Sequence, residues 1–122
     1  MLIKDIQNCE YFSAMDNTLL CELLHPAKEA ERLAIPYSIA HAIIKPGEMT
    51  LRHRLKTSAE VYYILEGKGV MYIDDASAAV HAGQAIYIPP HSKQCLQNTG
   101  KSDLKFLCIV HPMWRREDEE VL

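Results

Sequence analysis

Turn-forming residues interrupt this chain about every 8 to 12 residues from Tyr37 onward, and this rhythm constrains the fold more than any other feature. SIAHAII ends at Pro46-Gly47, AEVYYILE at Gly67, SAAVHA at Gly83 and QAIYI at Pro89-Pro90. KQCLQN ends at Asn98-Thr99-Gly100, and DLKFLCIVH ends at Pro112. The stretches between are rich in β-branched and aromatic residues, which suit a pleated, half-buried strand. MTLRHRL adds a short strand, GVMYIDD follows Gly67, and NTLLCELL, ended by Pro26, lies ahead of them all. About eight or nine short strands with this spacing predict an all-β sandwich or barrel. Gly67-Lys68-Gly69 reads as a hairpin connection. At most one short helix is expected, about two turns in PAKEAERLAIP, with Pro26 near its first position and Pro36 as its stop.

At 122 residues the chain suits one domain over 1–122, and 48% hydrophobic with 24% charged residues is the balance of a soluble globular protein. The 13 basic and 16 acidic residues leave a net charge of −3, with no basic stretch to follow a phosphate backbone, so nucleic acid is not an expected partner. No apolar run approaches the roughly 20 residues that span a bilayer, so no membrane is expected either. The start, MLIKDIQNCEYF, has no apolar core of a secretory signal. Cys9, Cys21, Cys95 and Cys108 contain no CxxC pair, so the expectation is free thiols in a reducing cytoplasm. No charge flanks Cys95 or Cys108 to activate it, and no GxSxG, phosphate loop or dinucleotide fingerprint is present. The acidic run Glu117 to Glu120 reads as a solvated tail, with a partner site as the alternative.

Two spaced motifs run through the strand-rich region. Gly47 is followed by His53, Leu55, Glu60 and Gly67, and Gly83 is followed by Pro89, His91, Gln94 and Asn98. In spacing this resembles the two motifs of the cupins, one with glycine, two histidines, glutamate and glycine, the other with glycine, proline, glycine, histidine and asparagine. The motifs, over 47–67 and 83–98, and the segment between them cover a little under half of the chain. The resemblance implies an all-β double-stranded β-helix, the cupin jelly-roll barrel, with a pocket inside. It also implies a homodimer, which would pair strand edges left open by the barrel.

In metal-bearing cupins the two histidines and the glutamate of the first motif, with the histidine of the second, hold one divalent cation. Imidazole and carboxylate suit Fe, Mn, Ni, Zn or Cu. Here the resemblance carries over His53 and Glu60, puts Gln94 at the third place and Leu55, which has no donor atom, at the fourth. His53, Glu60 and Gln94 are therefore the expected metal ligands, with a salt bridge between His53 and Glu60 as the metal-free alternative for that pair. Gln94 can equally be a hydrogen-bonding pocket residue. Period-two alternation puts Tyr62 on the face of Glu60 and Leu55 on that of His53, so both are expected at the ligand pocket, while Val61 and Tyr63 face away. His41, mid-strand, is a further pocket candidate, although core packing suits it as well. His91 stands at the glycine of the second motif, in a turn, and His111 at the end of the last strand is a possible replacement ligand.

Two functions follow from the resemblance. One is a metal-dependent dioxygenase, decarboxylase or sugar-phosphate isomerase acting on a small molecule. The other is a non-catalytic module that binds or senses a small sugar or organic acid without metal.

Overall fold

The computed structural model describes all 122 residues. Eleven strands form in chain order: β1 (Phe12–Ser13), β2 (Leu19–Leu24), β3 (Ser38–Ile44), β4 (His53–Leu55), β5 (Ala59–Glu66), β6 (Lys68–Ile73), β7 (Ala76–His81), β8 (Ala85–Ile88), β9 (Gln94–Asn98), β10 (Leu104–His111) and β11 (Glu119–Val121). They make a six-stranded sheet in the order β1-β2-β3-β10-β5-β8 and a five-stranded sheet in the order β11-β4-β9-β6-β7. All the pairings are antiparallel, and the two sheets face each other as an all-β jelly-roll barrel. No helix is long and apolar enough to cross a membrane.

Alternation sets the interior. On β5, Glu60, Tyr62 and Ile64 are buried, while Tyr63 is 40% exposed. On β10, Leu104, Phe106, Cys108 and Val110 point inward, and on β9 so do Gln94, Leu96 and Asn98. One end of the barrel is closed by Ala42, Ile44, Ile64, Met71, Leu96 and Leu104. Asn98 braces that end: its amide donates to the carbonyls of Ile44 at 2.9 Å and Ser102 at 2.8 Å, and its side-chain oxygen accepts from the Gly100 N–H. Each hydrogen-bonding atom of this buried amide is thereby satisfied.

Four expectations from the sequence are corrected. Gly67 is not a hairpin turn, because β5 and β6 lie in different sheets and the glycine carries the chain between them. It adopts φ of 89°, and a Cβ there would lie 2.8 Å from the Asp103 carbonyl oxygen, so the position requires glycine for reasons other than hairpin geometry. The segment from Pro26 to Pro36 forms a single turn at 26–28 and bends, not a helix. There the His25 ring accepts from the Ala27 N–H, and two isolated helical turns would not have repaid their nucleation.

Cys9 and Cys21 form a disulfide, with Cα atoms 5.9 Å apart, leaving Cys95 and Cys108 as the free thiols. The N-terminal segment folds back across the outer face of β2 and β3, which no local spacing announces. The acidic run is not a solvated tail either. Asp118 is buried and accepts from the Thr57 N–H, the Thr57 hydroxyl and the Ser58 N–H. Burial alone would raise its pKa, but these donors outweigh it and hold the carboxyl below its usual range. Glu119 and Glu120 then pair with β4.

Candidate functional site

The same strands that close one end of the barrel leave the other hollow. A cavity of about 320 Å³ lies there. Its floor comes from the inner faces of the six-stranded sheet: Leu20, Ala40, Glu60, Tyr62, Phe106 and Cys108. The segment from Phe12 to Thr18 forms one wall, and Trp114 and Glu119, from the C-terminal segment, form another. The volume is near the lower bound for small-molecule sites and equals the liquid volume of on the order of ten waters.

Its polar groups form two connected sets. In the first, the Tyr62 hydroxyl donates to Gln94 Oε1 at 2.8 Å, and Gln94 Nε2 donates to Glu60 Oε1 at 3.0 Å. Burial pushes the Glu60 carboxyl up to about 8, with the nearby Asp16 and Glu119 charges adding to the rise against the pull of the Gln94 bond. Glu60 is therefore a neutral carboxylic acid at pH 7. Burial likewise raises the Tyr62 hydroxyl and the Cys108 thiol, which leaves that thiol an unreactive part of the wall.

The second set crosses the barrel mouth. His53 Nδ1 lies 2.7 Å from the Leu51 carbonyl oxygen, which can only accept, so this nitrogen carries a hydrogen. Nε2 then faces Asp16 Oδ2 at 3.4 Å, an ion pair when the ring is protonated. Asp16 Oδ1 accepts from the Thr18 N–H at 3.0 Å. Glu119 Oε1 accepts from the Trp114 indole N–H at 2.9 Å, and burial, followed by the Asp16 charge, raises the Glu119 pKa despite that bond and His53.

The candidate residues thus divide. Glu60 and Tyr62 line the cavity, and Gln94 stands behind them. The pairing expected between His53 and Glu60 without metal is replaced by two separate ones, His53 with Asp16 and Glu60 with Gln94. Leu55 is buried beside β11, opposite Glu119, and does not line the cavity. His41 does not line it either. It faces the opposite side of β3, where the Tyr11 hydroxyl lies 2.7 Å from its Nδ1, and burial followed by the Lys105 charge lowers its pKa. His91 and His111 are exposed.

These residues do not fit the divalent cation that the motif implies. Leu55 supplies no donor atom. The Gln94 amide is engaged at both ends, its oxygen by Tyr62 and its nitrogen by Glu60. No three His, Cys, Asp or Glu side chains converge in a metal-holding arrangement.

Asp16, Trp114 and Glu119 were not among the candidates. They reach the site from the two ends of the chain, and no local periodicity marks them. The only signal was negative: Glu119 belongs to a charge run, which ordinarily means solvent.

Comparison with known proteins agrees with the barrel. The sequence pattern of the cupin domain matches residues 40–110. An uncharacterised protein of Methanocaldococcus jannaschii is 41% identical over 100% of this chain and 99% of its own length. An oxalate-binding protein of Thermotoga maritima is 30% identical over 55% of each chain. A cupin 2 conserved barrel domain protein from Salinispora arenicola superposes with a TM-score of 0.77 over 96% of this chain and 91% of that one, at 17% identity, a likeness of fold.

Proposed function

The chain belongs to the cupin family, and we propose that its barrel is a small-molecule-binding module whose pocket works without a metal at the family's ligand positions. The observation that carries this reading is the Tyr62–Gln94–Glu60 chain. It engages both ends of the Gln94 amide and Oε1 of Glu60, two of the three side chains expected to ligate, and it leaves the Glu60 carboxyl on the wall of a cavity of ligand size. A few fixed polar groups in a mostly apolar hollow are what a selective binding site needs. The metal-dependent chemistries expected from the resemblance would need donors that this set does not offer.

The test is a ligand screen by thermal shift in the presence of EDTA, run on the wild type and on Ala40→Leu, which fills the cavity from its floor. Small organic ligands that raise the melting temperature of the wild type with chelator present, and not that of Ala40→Leu, support the reading. Ligands that act only when a divalent metal is added contradict it. The same reading takes the protein as a homodimer, supported by the edges that β1, β7, β8 and β11 leave unpaired. A monomer in sedimentation at micromolar concentration would contradict that part alone.

A further inference from the structure

The cavity wall carries charge of predominantly one sign. Asp16, Glu22 and Glu119 line it beside the neutral carboxyl of Glu60, and Arg116, exposed, is the one lysine or arginine that does. Glu22 has a cation of its own, Lys28 at 3.4 Å, but Lys28 Nζ also stands 5.4 Å from the Trp114 ring centroid and is not part of the wall. Acceptors are in surplus as well. Glu22 Oε2 and Glu119 Oε2 are buried without a hydrogen-bond partner. Buried acceptors lacking donors are destabilising, so a ligand rich in N–H groups gains what the protein leaves open. Between these acids stand the rings of Phe12, Tyr62, Phe106 and Trp114, apolar surfaces whose faces also attract a cation.

We propose that this pocket takes a small organic amine: an ammonium group held at Glu119 on the acidic wall, with an apolar body against the aromatic rings. The proposal rests on the reading of the cavity as a small-molecule site and assigns the class of ligand. A dicarboxylate such as oxalate would have to place two negative charges beside these carboxylates with no metal to offset them, and it is rejected by the same walls.

Three probes of one shape separate charge from size: benzylamine, benzyl alcohol and benzoate, titrated by calorimetry at pH 7 into the wild type, Ala40→Leu and Glu119→Gln. Benzylamine is expected to bind tightest, about tenfold or more tighter than the alcohol, with benzoate weakest. Ala40→Leu should abolish binding of the amine. Glu119→Gln, nearly isosteric, should weaken the amine about tenfold and leave the alcohol unchanged. Binding of the alcohol or of benzoate as tight as the amine, and sensitive to Ala40→Leu, overturns the amine assignment while leaving the small-molecule reading intact. Binding of none of the three to the wild type overturns both. Should Ala40→Leu not fold, the order among the probes in the wild type and the loss in Glu119→Gln still decide the assignment.

Discussion

The two ends of the barrel interior are made by the same strands and differ by a step or two along each. On β5, Ile64 lies at the closed end and Glu60 at the hollow one. On β9 the pair is Leu96 and Gln94, and on β3 it is Ile44 and Ser38. All six are buried, so burial does not separate the two ends. What separates them is what burial costs. At the closed end Ile44, Ile64 and Leu96 gain by leaving water, whereas at the hollow end Glu60 has to give up its charge to remain inside. Stability resides at one end, and the other spends some of it on groups that suit a ligand better than they suit the fold.

The largest expected effect tests the closed end. Ile64→Ala should cost about 2–5 kcal/mol in urea unfolding, the range for truncating a fully buried aliphatic side chain, while Val110→Ala, on the cavity wall, should cost less because a hollow already adjoins it. A larger loss at Val110 would break the comparison.

The next effect tests the hollow end through pH. The Glu60 pKa is raised in the folded state, so between its ordinary value and about 8 the native protein binds a proton that the unfolded chain releases. Its contribution to stability therefore falls as pH rises through that window, by up to about 1.4 kcal/mol per pH unit. Glu60→Gln keeps the shape and removes the titration. It should be more stable than the wild type at pH 8, on the order of a few kcal/mol, and lose that advantage at pH 4. Parallel pH profiles of the two proteins would show that Glu60 ionises normally.

Two smaller effects concern segments that hold the hollow end in place. Asp118→Asn keeps the bulk but weakens the acceptors for Thr57 and Ser58, and should cost about 1–3 kcal/mol in thermal or urea unfolding. The Asp118 pKa is depressed, so the loss is full at neutral pH and shrinks as pH falls through the folded value. His91 occupies φ of 70°, a left-handed conformation that costs a side chain of its size about 1 kcal/mol. His91→Gly should stabilise by up to about that amount, and a loss instead would mean that the Arg54 contact at 3.4 Å outweighs the backbone.

Much of the fold was legible because its signals are local. Alternation in AEVYYILE placed Glu60 and Tyr62 inside and Tyr63 outside, and the Gly and Pro turns marked nearly every strand end. Partners were not legible. Gly67 looks the same whether the next strand pairs with β5 or crosses to the other sheet, because the choice lies with β9 and β10 farther along the chain. The site suffered the same limit. Glu60, Tyr62 and Gln94 sit in motifs whose spacing announces them, whereas Asp16 and Glu119 are brought in by chain ends that carry no periodic pattern. Cys9 and Cys21, 12 residues apart, meet only because the N-terminal segment doubles back over β2.

The central claim is that the hollow end of this barrel is a pocket without a resident metal at the family's positions. The most direct measurement is elemental analysis by mass spectrometry of protein purified without chelators, then equilibrated with Fe, Mn, Ni and Zn and freed of loosely held ions, beside His53→Ala treated in the same way. The account predicts metal far below one ion per chain in both proteins, with no difference between them. Close to one ion per chain in the wild type, lost in His53→Ala, would contradict it and return His53, Glu60 and Gln94 to the role of ligands.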